Sequence, residues 1–352
     1  MHSMKRRAAA LAAAAISGCA VAPSDIREHA PLAKLYAGRF AVGAAIEPWQ
    51  LDTREGALFA WHFNGVVAEN AMKAKNLQAA EGRFDFSGAD RIVSFARRHG
   101  MRIRGHTLVW HEETPEWFWR GEGGRPASRE LVLARLHRHV EAVVTRYRGR
   151  VHSWDVVNEV IDPARPDCLR ETRWSQVAGS SYIEAAFRAA HAADPKARLV
   201  INDYETTDPA RRACLLRVVA GLRARGLPLH AVGHQMHVGL ANPSAESVEE
   251  TLAAFAALGL DNEITELDMT MGPASTRGAE AVLLESQARR YAELFRVFVR
   301  RPDVKAVTFW GVSDAHTWLN MGRDRSDPDR PLLFDAEQRP KAAYHAVAAA
   351  AR

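Results

Sequence analysis

Eight short apolar runs, rich in β-branched and aromatic residues, alternate along this chain with longer segments of helical spacing. A polar turn separates each run from the segment that follows it. The eight runs are RFAVGAAI, FNGVVAEN, MRIRGHTLVWH, VHSWDVVNE, RLVINDY, HAVGHQMHV, NEITELDM and VKAVTFWGVSD. Eight strands that alternate with helices in one domain predict an α/β fold, a single (β/α)8 TIM barrel, rather than an open doubly wound sheet.

The ends of the helical segments support this interpretation. Ser128 and Asp208 stand where N-caps are expected, and Gly100, Gly226 and Gly259 stand where a left-handed C-terminal residue is expected. No GxGxxG motif follows an early run, so the main reason for a dinucleotide-binding fold is missing. No low-complexity linker or repeat of solenoid length follows the N-terminus, which indicates one catalytic-sized domain.

The N-terminal stretch MHSMKRRAAALAAAAISGCAVAPSD has a cationic start and an apolar run of about ten residues, the pattern of a signal peptide. The sequence ISGC has the order of a bacterial lipobox and would make Cys19 the lipidated first residue. The rival cut after AVA would end against Pro23, a poor residue at that place. We therefore predict a signal peptide over 1–18, an N-terminal tether over 19–35 and a catalytic domain over 36–352.

This N-terminus predicts that the protein is exported, and two destinations fit the sequence. A lipoprotein of the outer membrane or cell surface, attached to the membrane only through its lipid, is favoured over a plain periplasmic or secreted protein. Arg6 and Arg7 add weak evidence for twin-arginine export. In an oxidising compartment Cys168 and Cys214 leave room for one disulfide, although free buried thiols are the default expectation for two cysteines.

The formal charge of the 352-residue chain is +5, and Lys5, Arg6 and Arg7 supply three of those charges within the predicted signal peptide. The remainder is too small to suggest a nucleic-acid partner. We expect a monomer.

Polar and aromatic side chains follow the predicted strands where each one ends. In a barrel of this type the C-terminal strand ends meet at one mouth, where the active site lies. Packing does not explain so many charged residues at buried strand ends. The residues are Glu69, Asn70, Lys73, His106, Trp110, His111, Asn158, Glu159, Asp203, Tyr204, Gln235, His237, Glu266, Asp268, Trp310 and Asp314.

The period of two along a strand groups some of these side chains. Gln235 and His237 are expected on one face of strand six, and Glu266 and Asp268 on one face of strand seven. With both faces turned inward, His237 would lie between the two carboxylates and help to keep Glu266 ionised.

Glu159 has different neighbours, because Trp154, Val156 and Val157 precede it and no cation is close in sequence. A carboxyl group in apolar surroundings near an ionised carboxylate has a raised pKa, which suits a proton donor. One carboxyl poised as an acid and one held as an anion are what cleavage of a glycosidic bond requires. A separation of about 5 Å between them would predict retention of anomeric configuration.

Aromatic residues indicate a groove for a sugar polymer. Trp110, Trp310 and Trp318 fall at or just past strand ends, where flat rings can pack against the C–H faces of sugars. Packing in the core or in loops is the simpler expectation for five other tryptophans, Trp49, Trp61, Trp117, Trp119 and Trp174.

A series of motifs in order along the chain, from about Phe40 to Val347, resembles glycoside hydrolase family 10, the retaining endo-β-1,4-xylanases with a (β/α)8 fold. The motifs are FNGVVAENAMK, GHTLVWH, WDVVNE, INDYE, HQMH, ITELD, WGVSDAHTW and the tail PLLFDAEQRPKAAYHAV. The resemblance implies hydrolysis of internal β-1,4-xylosidic bonds in xylan and xylo-oligosaccharides, without a cofactor.

The resemblance also implies individual roles. Glu159 would be the acid/base, Glu266 the nucleophile and Asp268 the partner behind His237. The implied sugar contacts are Glu69, Asn70 and Lys73 on the non-reducing side of the cut, His106 and Trp110 at the cleavage subsite, Asn158 at the sugar 2-hydroxyl, Tyr204 near the leaving group, Gln235 and His237, and the platforms Trp310 and Trp318.

Three positions depart from the family pattern. Ala71 stands where Glu is common, Glu205 stands where Asn is common, and His234 replaces a small or apolar residue. Glu205 adds an anion on the leaving-group side, where it would alter the preference for acidic decorations of the polymer. No metal site is expected from His234 and His237, because residues three apart on a strand point to opposite faces.

Two alternative functions stay open at this point. One is a surface lipoprotein that binds xylan without cleaving it, which would not need both carboxylates and His237. The other is a metal-dependent barrel hydrolase, which a chelator would inactivate.

Overall fold

The computed structural model describes residues 24–272, 280–322 and 328–352. Eight parallel strands form the barrel, and β8 closes it by pairing with both β1 and β7. The strands are β1 Ala41–Ile46, β2 Gly65–Ala68, β3 Arg102–Gly105, β4 Ser153–Asn158, β5 Arg198–Asp203, β6 Ala231–His234, β7 Asp261–Thr270 and β8 Val304–Phe309. The predicted (β/α)8 barrel is thus confirmed.

Two short strands extend this barrel at its C-terminal rim. Val109–Trp110 pairs with the end of β4, and His237–Gly239 pairs with the end of β7. Between β6 and the second extension Met236 has a positive φ of 62°, which interrupts the strand. The extensions therefore fix Trp110 and His237 at the mouth.

Helices surround the barrel, with 3-10 turns in its loops. The α-helices are α1 Leu32–Leu35, α2 Arg54–His62, α3 Ala74–Leu77, α4 Ser87–Arg98, α5 Arg129–Arg146, α6 Arg173–Ala178, α7 Ser181–Ala193, α8 Pro209–Ala224, α9 Ala245–Ala257, α10 Glu280–Arg300 and α11 Ala342–Ala350. The 3-10 helices are Ile26–Glu28, Pro48–Asp52, Glu116–Trp119, Glu122–Gly124 and Trp318–Asn320.

Local chemistry accounts for the helix ends. The side chains of Ser128 and Asp208 accept hydrogen bonds from backbone N–H groups in the first turns of α5 and α8, as predicted. The inner faces of these helices bury aliphatic and aromatic residues against the strands. That burial, rather than helix propensity alone, holds the outer ring in place.

The barrel interior holds a buried ion cluster beneath the mouth. Arg104 of β3 binds Asp155 of β4 and Glu263 of β7, and all three side chains are buried. Asp155 also lies 2.9 Å from Nδ1 of His106. Asp155 is therefore a structural acceptor that orients His106.

The described part of the predicted tether packs against the barrel. Ile26 and Leu32 are buried in the core, and the Trp61 indole donates a hydrogen bond of 2.9 Å to the carbonyl of His29. The boundary proposed at residue 36 thus falls inside packed structure. Cys19 and the proposed signal peptide lie outside the described residues. Among the helices that are described, none is long and apolar enough to cross a membrane.

Cys168 and Cys214 form a disulfide, with their Cα atoms 5.2 Å apart. The default expectation of free thiols was wrong, because the fold brings the loop after β4 against helix α8, 46 residues further along the chain. The bridge ties the segment that follows Glu159 to the outer ring of helices.

Removal of this disulfide is expected to destabilise the protein. The double variant Cys168→Ser/Cys214→Ser should lower the free energy of unfolding by about 2–4 kcal/mol, because the unfolded chain loses a cross-link over a long loop. Urea titration with circular dichroism measures the change. The wild-type protein treated with reductant should show the same loss, and equal stability of oxidised and reduced protein would contradict the prediction.

Candidate active site

Asp203 and Asp314 are paired with Arg211 and Lys341. The other side chains predicted at the strand ends meet at the mouth of the barrel. They form a central pair of carboxyl groups with their partners, a polar group on the side of β1 and β2, and an open cavity on the side of β5 and β6. The structure thus brings together all the predicted substrate-contact residues, and their individual roles stay predictions.

Glu159 lies at the end of β4 in the left-handed region, with φ 59°. A residue with a β-carbon adopts this conformation at an energetic cost, so surrounding contacts must impose it. The Glu159 N–H donates to the carbonyl of Asn202 at 2.9 Å, and the Arg170 guanidinium donates to the Glu159 carbonyl at 2.9 Å. These two bonds hold the backbone that aims the carboxyl group.

The Glu159 side chain accepts two hydrogen bonds from neighbouring strand ends. The Trp110 indole donates at 3.1 Å and the Gln235 amide donates at 3.0 Å. Burial is the largest influence on this carboxyl and raises its pKa, and the charge of Glu266 raises it further, against the opposing effect of the two donors. The predicted direction is confirmed, and Glu159 is suited to hold a proton.

Glu266, near the middle of β7, has the opposite environment. The Asn202 amide donates to one carboxylate oxygen at 2.7 Å, and Nε2 of His237 lies 3.2 Å from the other. The second ring nitrogen of His237 lies 3.0 Å from Asp268. The prediction that His237 lies between the two carboxylates is confirmed.

These contacts set the charge states on β7. Burial opposes ionisation of Glu266, but the hydrogen bond from His237 and the nearby imidazoles of His106 and His237 outweigh it and lower the pKa of Glu266 to about 2. Burial likewise disfavours the cation at His237, yet Asp268 and Glu266 raise its pKa to about 10. Glu266 is therefore an anion beside a cation.

Asn202 links the two halves of the site, and the sequence predictions missed it. Its amide nitrogen donates to Asn158 at 2.8 Å as well as to Glu266, and its oxygen accepts from Thr265 at 2.8 Å. Gly233 faces Asn202 across β5 and β6, where an added Cβ would lie 2.3 Å from the Asn202 oxygen. Side chains two residues apart on a strand share a face, and Asn202 is two residues before the predicted site residue Tyr204. This spacing was a signal that would have found Asn202.

Aromatic side chains line the floor and wall of the mouth. Trp310 is buried and packs edge-on against His106 and His237, with ring centroids 5.3 and 6.3 Å away. The indole of Trp318 donates to Asp268 at 2.7 Å and leaves 41% of the residue exposed. Both rings are thus fixed at the site, as a sugar platform requires.

The side of β1 and β2 carries a polar group. Lys73 donates to Asn70 at 2.8 Å, and Asn70 donates to Glu47 at 2.5 Å. Burial and the charge of Glu47 raise the pKa of Glu69 to about 7. Glu47 was missed by sequence, although it directly follows the apolar run of β1.

The opposite side, at β5 and β6, opens into a cavity of about 520 Å³. Tyr204 stands beside it, its hydroxyl accepting a hydrogen bond from Arg170. The lining includes Glu205, Thr206, Asp208, Met236, His237 and Asn242. Glu205, one of the departures from the family pattern, therefore faces the cavity.

The other two departures lie away from the carboxyl pair. His234 is buried, with Thr206 2.7 Å from one ring nitrogen and Asn262 2.8 Å from the other. His237 faces Glu266 instead, so the two imidazoles do not form a metal pair. Ala71 is half-buried at the rim.

His237→Asn is expected to move the acidic limb of the pH profile. The variant loses the hydrogen bond and the charge that lower the pKa of Glu266, so that pKa rises and a higher pH is needed to ionise the carboxylate. The acidic limb of kcat/KM should move upward by about 1–3 pH units. The same substitution at the exposed His137 is the control. An acidic limb that does not move in His237→Asn would contradict the role of His237 in keeping Glu266 ionised.

A barrel with two carboxyl groups of opposite proton affinity at its mouth has the arrangement that glycoside hydrolases use. The family model for Glycosyl hydrolase family 10 matches residues 31–350, and the chain belongs to this family.

Named relatives agree with this placement. Endo-1,4-beta-xylanase A of Halalkalibacterium halodurans is 43% identical over 90% of this chain and 85% of its own length. A thermostable celloxylanase of Thermoclostridium stercorarium is 43% identical over 90% of this chain and 86% of its own. Among solved structures, xylanase B from Clostridium stercorarium F9 superposes with a TM-score of 0.87, at 43% identity over 91% of this chain and 99% of that one.

Proposed function

We propose that the protein is an endo-β-1,4-xylanase that cleaves internal bonds of xylan with retention of anomeric configuration. The observation that carries the proposal is the pair of buried carboxyl groups with opposite environments, Glu159 with a raised pKa and Glu266 with a lowered one. The xylanase names of relatives that match about nine tenths of the chain support the choice of substrate.

In the first step Glu266 attacks the anomeric carbon and the bond from that carbon to the bridging oxygen breaks. Glu159 gives its proton to the departing oxygen, and a covalent glycosyl-enzyme forms. In this proposal His237 holds the attacking carboxylate, and Asn158 bonds the sugar 2-hydroxyl. The raised pKa of Glu159 keeps the proton available at the pH where Glu266 is already an anion.

In the second step the deprotonated Glu159 takes a proton from water. The resulting hydroxide attacks the anomeric carbon and displaces Glu266, which restores both carboxyl groups to their first state. Two inversions at one carbon give net retention. Trp310 and Trp318 provide ring faces for the sugars, while Glu69, Asn70 and Lys73 bind hydroxyls on the non-reducing side of the cut.

The anomeric form of the first product tests this function. Proton NMR of a xylohexaose digest should show the β-anomer of the new reducing end before mutarotation, and chromatography should show internal cuts. Initial appearance of the α-anomer would contradict retention. Binding of xylan without release of reducing sugar would favour the alternative of a non-catalytic binding protein.

No metal enters the proposed steps. The donor atoms of His111, Glu112 and Glu159 lie within 4.8 Å of one another. These three residues are the group whose ability to bind a metal should be tested. Activity that persists after dialysis against a chelator would support the metal-free route. Loss of activity restored by a divalent cation would favour a metal-dependent hydrolase.

Export and lipid attachment are proposed from the N-terminal sequence, and the Cys168–Cys214 disulfide is compatible with an oxidising compartment. The mass of the mature N-terminus decides between the two cleavage sites. An acylated Cys19 would establish the lipoprotein, and a free N-terminus further along would establish a secreted or periplasmic protein.

A further inference from the structure

Trp49 is an exposed tryptophan at the barrel mouth, with 52% of its surface accessible. It lies in the 3-10 helix Pro48–Asp52, which directly follows β1 at its C-terminal end. Sequence reasoning assigned Trp49 to packing in the core or in a loop, and its exposure excludes the core. A large aromatic face left open to water beside a substrate groove has the properties of a ligand contact.

The Trp49 ring is held in place from below. The imidazole of His316 packs edge-on against it, with ring centroids 4.6 Å apart. Nδ1 of His316 lies 2.7 Å from the carboxylate of Glu55, which is only 1% exposed and also accepts hydrogen bonds from Gln50 at 2.8 Å and Ser313 at 2.6 Å. Glu55 therefore joins the loop after β1 to the loop after β8. A ring fixed in this way loses little freedom when a ligand packs on it.

The position of Trp49 places it next to the polar group at β1 and β2. Glu47, two residues earlier, accepts the hydrogen bond from Asn70, which in turn binds Lys73. Gly88 lies where an added Cβ would contact both Pro48, at 3.3 Å, and Ala71, at 3.4 Å. Trp318, two residues after His316, stands on the neighbouring loop. Trp49 is thus at the rim, outward from the residues proposed to hold the sugar on the non-reducing side.

We propose that Trp49 forms an additional sugar subsite, which stacks one further xylose ring of the substrate beyond the unit bound by Asn70 and Lys73. The inference rests on the proposed xylanase function and names a determinant of chain-length preference within that site. The flat indole fits the C–H face of a pyranose, and the absence of a charge on Trp49 makes the contact independent of acidic decorations.

The position at which xylotetraose is cut tests the subsite. An added subsite on the non-reducing side favours binding of three units before the cut and one after it, so reducing-end-labelled xylotetraose should release labelled xylose. Trp49→Ala should lower the ratio of labelled xylose to labelled xylobiose by about tenfold, equivalent to about 1.4 kcal/mol. This ratio comes from one sample, so it does not depend on how much of the enzyme is folded.

Two further variants separate stacking from a structural effect. Trp49→Phe keeps an aromatic face and should retain most of the ratio, whereas Trp61→Ala, a matched change at a half-buried tryptophan that bonds His29, should leave the ratio at the wild-type value. An unchanged ratio in Trp49→Ala, or an equal loss in Trp49→Phe, overturns the proposal.

Failure of the xylanase function would be visible separately, because the wild-type protein would then not cut xylotetraose at all. In that event calorimetry with xylohexaose measures the subsite directly. Trp49→Ala should weaken binding by about tenfold relative to the wild type, and equal affinity overturns the subsite.

Discussion

Glu266→Gln is expected to lower kcat on xylan by about 10⁴-fold or more. The amide has nearly the shape of the carboxylate but is neutral and a poor nucleophile, so the covalent intermediate does not form. His237 also loses the negative partner 3.2 Å from its Nε2 atom. Release of reducing sugar from xylan measures the loss.

Substrate binding separates this effect from misfolding. Because the amide preserves the shape of the site, the Glu266→Gln protein should still bind xylohexaose in calorimetry. Glu246→Gln, the same substitution at an exposed position in the first turn of α9, should keep wild-type turnover. Near-wild-type hydrolysis by Glu266→Gln would exclude Glu266 as the nucleophile.

Glu159→Ala is expected to lower kcat/KM on xylan by about 10²–10⁴-fold, the range for loss of a general acid. An aryl xylobioside with an acidic phenol needs no proton to leave, so its first step should be far less affected. The intermediate should then accumulate, because no base activates water. Azide, a nucleophile that needs no base, should restore turnover and give a β-xylobiosyl azide.

The stereochemistry and rate of this rescue distinguish the two carboxyl groups. Azide should not restore Glu266→Gln in the same way, since that variant forms no β-face intermediate for azide to intercept. Failure of azide to accelerate Glu159→Ala would contradict the acid/base assignment, as would an α-configured azide product. The basic limb of the pH profile, which follows the raised pKa of Glu159, should also disappear in Glu159→Ala.

The barrel was predictable because short runs rich in apolar residues, each with a polar end, alternate eight times with segments of helical spacing. The limits of the strands were less predictable. HAVGHQMHV was expected as one strand, but it divides at Met236, whose left-handed conformation lets Gln235 reach Glu159 and His237 reach Glu266. Strand alternation alone does not give that arrangement.

The missed residues differ in how visible they were in the sequence. Asn202 and Glu47 stand in or directly after apolar runs, so the pattern of polar strand ends could have included them. Arg170 reaches the Glu159 carbonyl from a loop, where no local pattern marks it. The disulfide is of the same kind, because the distance between two cysteines is a property of the folded chain. The proton affinities of Glu159 and Glu266 were predictable in direction, since apolar neighbours and a nearby imidazole are visible in the motifs.

The carboxyl pair and the outer substrate contacts lie in different parts of the chain, which has a consequence for protein engineering. Glu266 lies within β7 and Glu159 directly follows β4. Trp49 and Glu205 instead belong to loops that follow β1 and β5. Exchange of a loop with one from a relative should therefore change which oligosaccharides are accepted while the bond-breaking groups keep their positions. Substrate range and chemical competence would then be inherited from separate segments of the same chain.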